Sequence, residues 1–178
     1  PMKDHNWYRG GYQKISLPRI LGVSSNIGVS RIIDEKYADN PTKFVEGLYR
    51  IGIGEPLNLE IPGYQPPIIR YPNKQNWWKT TLAWMSIGYE TQIAPINTLA
   101  FYNAIANNGR MVKPRFVKAI MRDGEVIEEF PVEVLKESIC SSSALKKMQD
   151  MLEGVVSKGL GKQAGSKQFH VSGKTGTA

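Results

Sequence analysis

Closely spaced prolines and a glycine between positions 54 and 79 prevent any long helix from running through the middle of the chain. A proline inside a helix removes a backbone hydrogen bond and clashes with the preceding turn. The residues concerned are Pro56, Pro62, Gly63, Pro66, Pro67 and Pro72. We therefore expect helices on either side of an irregular segment. A loop of this length inside a compact domain is usually functional or a lid.

Three short helices are predicted before this segment. Each begins at a capping residue and continues with apolar residues at helical spacing. The first and third also carry a proline in the first turn, where proline is tolerated. Their predicted ranges are 16–22, 25 or 26 to 37, and 40–52, and the third should bury Phe44, Val45, Leu48 and Tyr49.

After the irregular segment, the pattern predicts a short helical piece, two longer helices, a hairpin and a strand. Tryptophans 77, 78 and 84 bracket the short piece. The first long helix opens at Ala94-Pro95, ends at 107–109 and should bury Ile96, Leu99, Ala100, Ile105 and Ala106. The hairpin covers 115–121 and 125–130 around Asp123-Gly124, the second long helix runs from the serines at 141–143 to Gly159, and the strand covers 169–175.

Composition excludes several classes of protein. The chain has 178 residues, of which 41% are hydrophobic and 22% charged, values that exclude disorder, collagen and coiled coil as the main structure. The net charge of +7 permits an anionic partner, but a solvated basic surface explains it more simply, and we expect no nucleic-acid partner. A single cysteine, Cys140, cannot form an intramolecular disulfide.

No metal or cofactor site is predicted. His5 and His170 each stand without a cysteine or carboxylate at ligand spacing, so both are expected to be ordinary histidines. The glycines do not fit the templates of phosphate-binding loops.

The strongest chemical signal is the segment 172–177, which reads SGKTGT. Gly176 would let a substrate backbone approach closely, and the hydroxyls of Thr175 and Thr177 could bind a carboxylate or an oxyanion. Lys174 would add a positive field. A polar turn is the plain alternative, because Lys-Thr-Gly by itself occurs by chance in many chains.

The second signal is Ser24-Ser25-Asn26, which by itself reads as a helix N-cap cluster. Its order relative to the later Lys-Thr-Gly is that of S-x-N and K-T-G in penicillin-binding proteins and serine β-lactamases. The third motif of that set is S-x-x-K, and it has one match here, from Ser143 to Lys146. Because this match follows S-x-N instead of preceding it, we interpret Ser143 as a helix cap.

Longer stretches extend the similarity. Residues 86–95 read SIGYETQIAP, residues 102–109 read YNAIANNG, and the chain ends in SGKTGTA. Together with the two motifs, these stretches resemble class B penicillin-binding proteins, and most closely the cell-division (septal) transpeptidases. Two departures are Glu90, where the family usually has glycine, and Gly159-Leu160-Gly161, where it commonly has Gly-Thr-Gly.

The resemblance implies a truncated α+β fold of the penicillin-binding-protein and serine β-lactamase type, helix-rich, with a small hairpin and the K-T-G strand. It implies that Ser24 relays a proton to the leaving amine and that Asn26 holds the lysine of S-x-x-K and the substrate amide. Lys174 would supply positive potential. Thr175, Gly176 and Thr177 would bind the substrate, with the Thr177 N–H forming half of an oxyanion hole.

The resemblance also predicts the extent of the domain. Residues 1–178 would be a partial transpeptidase domain, from just before S-x-N to K-T-G, with the nucleophile-bearing part and the last sheet strands outside the chain. The parent would be anchored in the bacterial inner membrane with this domain on the extracytoplasmic side.

Its expected ligands and partners are peptidoglycan stem peptides, β-lactams and other division proteins, and the K-T-G strand could self-associate. The function implied is peptidoglycan cross-linking by acyl transfer from D-Ala-D-Ala stem peptides, while this chain alone should be inactive. Two alternatives stay open: a β-lactam receptor without turnover, and a D,D-carboxypeptidase or β-lactamase. A deacylating glutamate would indicate a β-lactamase, and Glu137 and Glu153 resemble helix-surface residues instead.

Overall fold

Six helices and six short strands make up the fold in a computed structural model that describes residues 2–73 and 75–176. The helices are α1 Leu17–Gly22, α2 Asn26–Tyr37, α3 Pro41–Arg50, α4 Thr81–Met85, α5 Pro95–Ala106 and α6 Ser142–Ser157. The strands are β1 Ile68–Ile69, β2 Thr91–Gln92, β3 Met111–Val112, β4 Ala119–Arg122, β5 Glu125–Glu129 and β6 Val134–Lys136. None of the helices in the described ranges is long and apolar enough to cross a membrane.

The helix starts follow the predicted capping signals, with one correction. Ser25 caps α2 by accepting the Gly28 N–H at 2.9 Å, and prolines occupy the first turns of α1, α3 and α5. At α6 the cap is Ser141, whose hydroxyl accepts the Ala144 N–H. The prediction that Ser143 is the cap is wrong, because extended backbone at Ser141 already starts the helix there and leaves Ser143 inside the first turn.

The main apolar core lies between α5, α6 and β3. Its buried members are Leu57, Ala100, Ala104, Ile105, Met111, Ile139, Leu145 and Leu152. Leu57 comes from the irregular segment, so this loop supplies a core side chain. Leu99 is 63% exposed and Ala106 is exposed as well, so the prediction that these two residues face the core is wrong.

A second, smaller core joins α3, β1 and α4. Val45, Ile69 and Met85 are buried there, and Phe44, Leu48, Tyr49 and Trp77 pack against them. The predicted stripe of α3 is thus confirmed. β1 was not predicted; it is a two-residue strand that pairs antiparallel with β2.

The hairpin is confirmed, with a first strand shorter than predicted. β4 and β5 pair antiparallel, and Asp123 and Gly124 between them both have positive φ, at 52° and 86°. Two consecutive residues with positive φ match the right-handed twist of a tight hairpin. Every residue of β5 is exposed.

The predicted strand at 169–175 is not formed. Residues 170–176 are irregular backbone without a ladder partner in the described ranges, and the Gly173 N–H donates instead to the Leu152 carbonyl of α6 at 3.2 Å. A strand exists only where a neighbour satisfies its backbone groups. The described strands pair as three separate two-stranded ladders, and none of these ladders includes this segment.

The C-terminal end of α6 contacts the C-terminal end of α1. Gly159 approaches Gly22 so closely that an added Cβ would lie 2.3 Å from the Gly22 carbonyl oxygen. The next N–H, of Leu160, donates to that same oxygen at 2.9 Å. This contact brings the chain that follows α6 toward the connection between α1 and α2.

Candidate functional site

Ser24 lies at the sharp turn that ends α1 and leads into α2. The Ser24 N–H donates to the Leu21 carbonyl at 3.1 Å, and the following N–H, of Ser25, donates to the Ile20 carbonyl at 3.0 Å. This pair of bonds is a Schellman closure, whose turning residue is left-handed and usually glycine. Ser24 occupies that place with φ of 52°, a conformation that costs a non-glycine residue about 1 kcal/mol.

Lys174 reaches this serine from the far end of the chain. Its ammonium donates to Ser24 Oγ at 2.6 Å, and also to the carbonyl oxygen and hydroxyl of Thr175 at 3.0 and 3.2 Å. The hydrogen bond from the Gly173 N–H to α6 fixes the backbone just before the lysine. Ser24, Lys174 and Thr175 therefore form one polar cluster, as the two sequence motifs predict.

Partial burial changes the chemistry of the lysine. Loss of hydration lowers the pKa of Lys174 below its ordinary value of 10.5. A lowered pKa makes loss of the lysine proton easier, and 2.6 Å from Nζ to Ser24 Oγ is within range for proton transfer. The pair therefore has the geometry of a proton relay.

Asn26 and Gly176 lie near this cluster in the sequence but are not tied to it by hydrogen bonds. Asn26 is the half-buried first residue of α2, and the hydrogen bonds of the described Lys174 go to Ser24 and Thr175. Gly176 is exposed. Thr177 lies outside the described residues, so its expected role at the substrate carboxylate stays a prediction.

A buried carboxylate that the sequence did not reveal lies beside the S-x-N turn. Asp4 is 3% exposed, and its oxygens accept the Ser25 hydroxyl at 2.6 Å and the Ile27 N–H at 3.1 Å. The aspartate lies in the irregular opening stretch, more than 20 residues before its partners, so local sequence patterns could not pair them.

The alternative S-x-x-K match does not form a serine–lysine pair of the same kind. Ser143 and Lys146 are both exposed on α6, and the Lys146 ammonium bonds the Asp150 carboxylate at 2.8 Å. This hydrogen bond, with the charge of Asp150, raises the pKa of Lys146. Lys146 is thus paired with the Asp150 carboxylate and not with the Ser143 hydroxyl.

Neither histidine belongs to a metal cluster. His5 contacts the Tyr12 hydroxyl at 3.1 Å, and His170 contacts the Glu153 carboxylate at 2.8 Å. Across residues 2–73 and 75–176, no group of three or more His, Cys, Asp or Glu side chains could hold a metal ion.

Several known proteins are similar to this chain. Penicillin-binding protein PbpB of Mycobacterium tuberculosis is 31% identical over 182 residues, which cover 98% of this chain and 26% of that protein. Peptidoglycan D,D-transpeptidase FtsI of Escherichia coli K12 is 29% identical over 168 residues, covering 94% of this chain and 26% of that protein. The chain therefore spans about a quarter of the length of these two relatives.

Solved structures agree. The crystal structure of penicillin binding protein 3 from Mycobacterium tuberculosis, complexed with ampicillin, has a TM-score of 0.71 at 26% identity, covering 88% of this chain and 35% of that one. The family model described as the penicillin binding protein transpeptidase domain matches residues 1–178, the whole chain. Since this match joins the S-x-N and K-T-G residues that meet in the structure, the chain belongs to the penicillin-binding protein transpeptidase family.

Proposed function

We propose that the protein carrying this chain cross-links peptidoglycan during cell division, by acyl transfer from D-Ala-D-Ala stem peptides, and that β-lactams acylate it. The observation that supports this most is the 2.6 Å contact between Lys174 Nζ and Ser24 Oγ, formed by the two motifs of the family. The nucleophilic serine would come from an S-x-x-K segment outside residues 1–178. We call this the nucleophile segment.

The reaction needs two proton transfers at this site. The nucleophile's hydroxyl attacks the carbonyl of the penultimate D-Ala, and its proton passes to the lysine of its own motif. As the C–N bond breaks, Ser24 gives its proton to the leaving amine of the terminal D-Ala and takes up the proton held by the lysine of S-x-x-K, while Lys174 supplies positive potential beside it. The amine of a neighbouring stem peptide then attacks the acyl-enzyme by the reverse route.

The K-T-G residues would hold the substrate in this reaction. Thr175 and Thr177 bind its terminal carboxylate, Gly176 lets its backbone approach, and Asn26 holds the substrate amide and the lysine of the nucleophile segment. A strand forms at 169–175 once sheet neighbours from outside the chain pair with its backbone, which has no ladder partner in the described ranges.

The setting follows from the proposed reaction. We place the parent protein in the bacterial inner membrane with this domain outside the cytoplasm, where peptidoglycan is assembled. Contacts with other division proteins belong to the same proposal. Unpaired K-T-G backbone also allows two copies of the isolated chain to associate, since an open strand seeks another edge.

The test is labelling of the full-length protein by a fluorescent penicillin, followed in time. Ser24→Ala and Lys174→Ala should each slow acylation about 100-fold, the usual contribution of a positioned acid or base. Ser143→Ala and Lys146→Ala repeat the same two changes on the alternative motif and should leave the rate unchanged. Equal labelling of all five proteins would contradict the proposal, as would a covalent adduct on Ser143.

Hydrolysis is the main competing function, and two contacts argue against its β-lactamase form. Glu137 and Glu153, which could have served as deacylating carboxylates, are engaged with Arg110 at 3.0 Å and His170 at 2.8 Å. Glu137 follows β6 instead of lying on a helix, which corrects its expected place. The lifetime of the penicilloyl-enzyme distinguishes these functions. A lifetime of hours favours a transpeptidase or a receptor, and a lifetime of seconds favours a β-lactamase.

A transpeptidase and a receptor differ in turnover. A transpeptidase given a D-Ala-D-Ala peptide releases D-Ala faster when an acceptor amine is added, and it forms the amide product. A receptor releases none. A carboxypeptidase releases D-Ala at a rate that the acceptor does not change.

A further inference from the structure

Asp4 is a buried carboxylate for which the proposed reaction has no use. It is 3% exposed, in a stretch that otherwise lies on the surface as an irregular segment and a short 3₁₀ turn. A buried carboxylate without hydrogen-bond partners is strongly destabilising. The groups that bond to Asp4 are therefore the groups that its burial holds in place. One of its oxygens bonds to Ser25, the residue after Ser24, and the other to Ile27 in the first turn of α2.

These bonds fix the chain on the C-terminal side of Ser24. Asp4 Oδ2 accepts the Ser25 hydroxyl at 2.6 Å, while Oδ1 accepts the Ile27 N–H at 3.1 Å. The Ser25 oxygen in turn accepts the Gly28 N–H at 2.9 Å. Ser25 is itself only 2% exposed, so water does not compete for these bonds.

The chain on the N-terminal side of Ser24 is fixed separately, by the Schellman closure of α1. Ser24 thus has a left-handed backbone conformation, and hydrogen bonds fix the chain on both sides of it. A strained backbone conformation of this kind persists only where the surroundings over-determine it. Without the Asp4 bonds, only the α1 side would hold the turn.

We propose that Asp4 is a positioning residue, which keeps the Ser24 hydroxyl within reach of Lys174 by fastening Ser25 and the start of α2. This rests on the proposed function, since it assigns Asp4 a part in the reaction through Ser24. Asp4 itself touches neither Lys174 nor the reacting groups in the contacts described above. A purely structural role as a helix cap is the competing explanation, and the two differ in what a substitution changes.

The experiment measures acylation of the full-length protein by a fluorescent penicillin and separates the rate constant from the affinity of the non-covalent complex. Asp4→Asn keeps the size of the side chain but weakens its acceptors, and it should lower the rate constant about tenfold or more, with little change in affinity. Misplacing a reacting group by about 1 Å is enough for such a loss. Ser25→Ala, which removes only the 2.6 Å bond, should lower the rate constant in the same direction by less.

Two controls separate positioning from stability. Asp34→Asn makes the same chemical change on an exposed residue of α2 and should leave the rate unchanged. Val45→Ala removes a fully buried side chain from the second core, so it should lower the melting temperature without lowering the acylation rate constant.

The inference is overturned if Asp4→Asn or Ser25→Ala acylates at the native rate, or if Val45→Ala loses as much rate as they do at an equal loss of stability. If Asp4→Asn does not fold, Ser25→Ala decides by itself. Ser24→Ala distinguishes the two proposals. An unaffected Ser24→Ala variant means that the proposed function has failed, whereas a slow Ser24→Ala with a normal Asp4→Asn means that only the present inference has failed.

Discussion

Ser24 meets two demands that favour different residues. Its left-handed backbone favours glycine, whereas its contact with Lys174 requires a hydroxyl. The serine is therefore kept at some expense of stability. Such local conflicts are expected where a residue serves chemistry and not folding.

This conflict predicts that, at position 24, a glycine variant is more stable than an alanine variant, which is the reverse of the order inside a helix. Ser24→Ala and Ser24→Gly both remove the hydroxyl, but only glycine is free of strain at φ of 52°. The glycine variant should therefore be about 1 kcal/mol more stable than the alanine variant. Urea unfolding of the chain, followed by tryptophan fluorescence, measures the difference.

The same pair of substitutions at Ser143 is the control. Ser143 lies inside the first turn of α6, where alanine is the better helix former, so the order should reverse. An alanine variant at Ser24 that equals or exceeds the glycine variant would contradict the strain at that residue.

The lowered pKa of Lys174 predicts how stability changes with pH. Between that lowered pKa and 10.5, the unfolded chain binds the lysine proton more fully than the folded chain does. Unfolding then takes up protons, so the free energy of unfolding should rise with pH in this window, relative to Lys174→Met. Below the folded pKa the difference between the two proteins should be constant.

Lys146→Met supplies the opposite sign. The Asp150 contact raises the pKa of Lys146, so its contribution to stability is present below 10.5 and lost as pH rises through the folded value. Guanidinium unfolding between pH 7 and pH 11 compares both variants with the native chain. Equal trends for the two lysines would show that Lys174 is not desolvated.

At the scale of helices and strands, local sequence signals predicted the helix starts, which depend on interactions within a single turn. Prolines in the first turn marked the starts of α3 and α5, and the Ser25 cap marked the start of α2, because each of these signals acts within one turn. The strand at 169–175 failed because a strand depends on neighbours that the chain order does not reveal. The predicted burial of Leu99 was wrong for a related reason. Helical spacing shows which residues share a face, but it does not show whether another element covers that face.

The site was only half predictable in the same sense. Its motif residues were recognised because their types and order are distinctive. The anchor Asp4 was missed because a single aspartate in an irregular stretch carries no such signal. The close approach of Gly159 to Gly22 was missed likewise, since Gly159 was noted only as the end of a helix and as part of a departure from the family.

The contact between α1 and α6 gives a prediction at this scale. Gly159→Ala would place a Cβ 2.3 Å from the Gly22 carbonyl oxygen and 2.7 Å from that of Val155, so the helix ends must separate. We expect a loss of about 2 kcal/mol in the free energy of unfolding and slower acylation of the full-length protein, because the chain leading to Lys174 moves with α6.

Gly154→Ala is the matched control on the same helix. A Cβ at Gly154 meets nothing within 4 Å, and alanine is the better helix former, so this variant should gain up to about 1 kcal/mol. Differential scanning calorimetry orders the three proteins. A Gly159→Ala chain as stable as the native one would show that the close approach is relieved without cost.

At the scale of the whole molecule, the structure brings residues 24 and 174 together. On the proposed function they are part of a site whose nucleophile segment we place outside residues 1–178. We expect the 178-residue chain alone to remain unlabelled by a fluorescent penicillin. Its S-x-x-K match, from Ser143 to Lys146, has the lysine bonded to Asp150 and not to the serine.

Addition of the nucleophile segment as a separate fragment should restore labelling, on the serine of that fragment. In-gel fluorescence followed by peptide mass spectrometry locates the adduct. Labelling of the isolated chain would instead show that a residue within it is the nucleophile.

The Ser24–Lys174 contact joins residues separated by 150 positions, and this separation sets an order in time. Asp4, Ser25 and α2 all lie within residues 4–37, so the serine turn closes only short loops. Lys174 is made 150 residues after Ser24, since synthesis runs from the N-terminus. The turn can therefore form before its partner is made, and the contact with Lys174 closes a much longer loop.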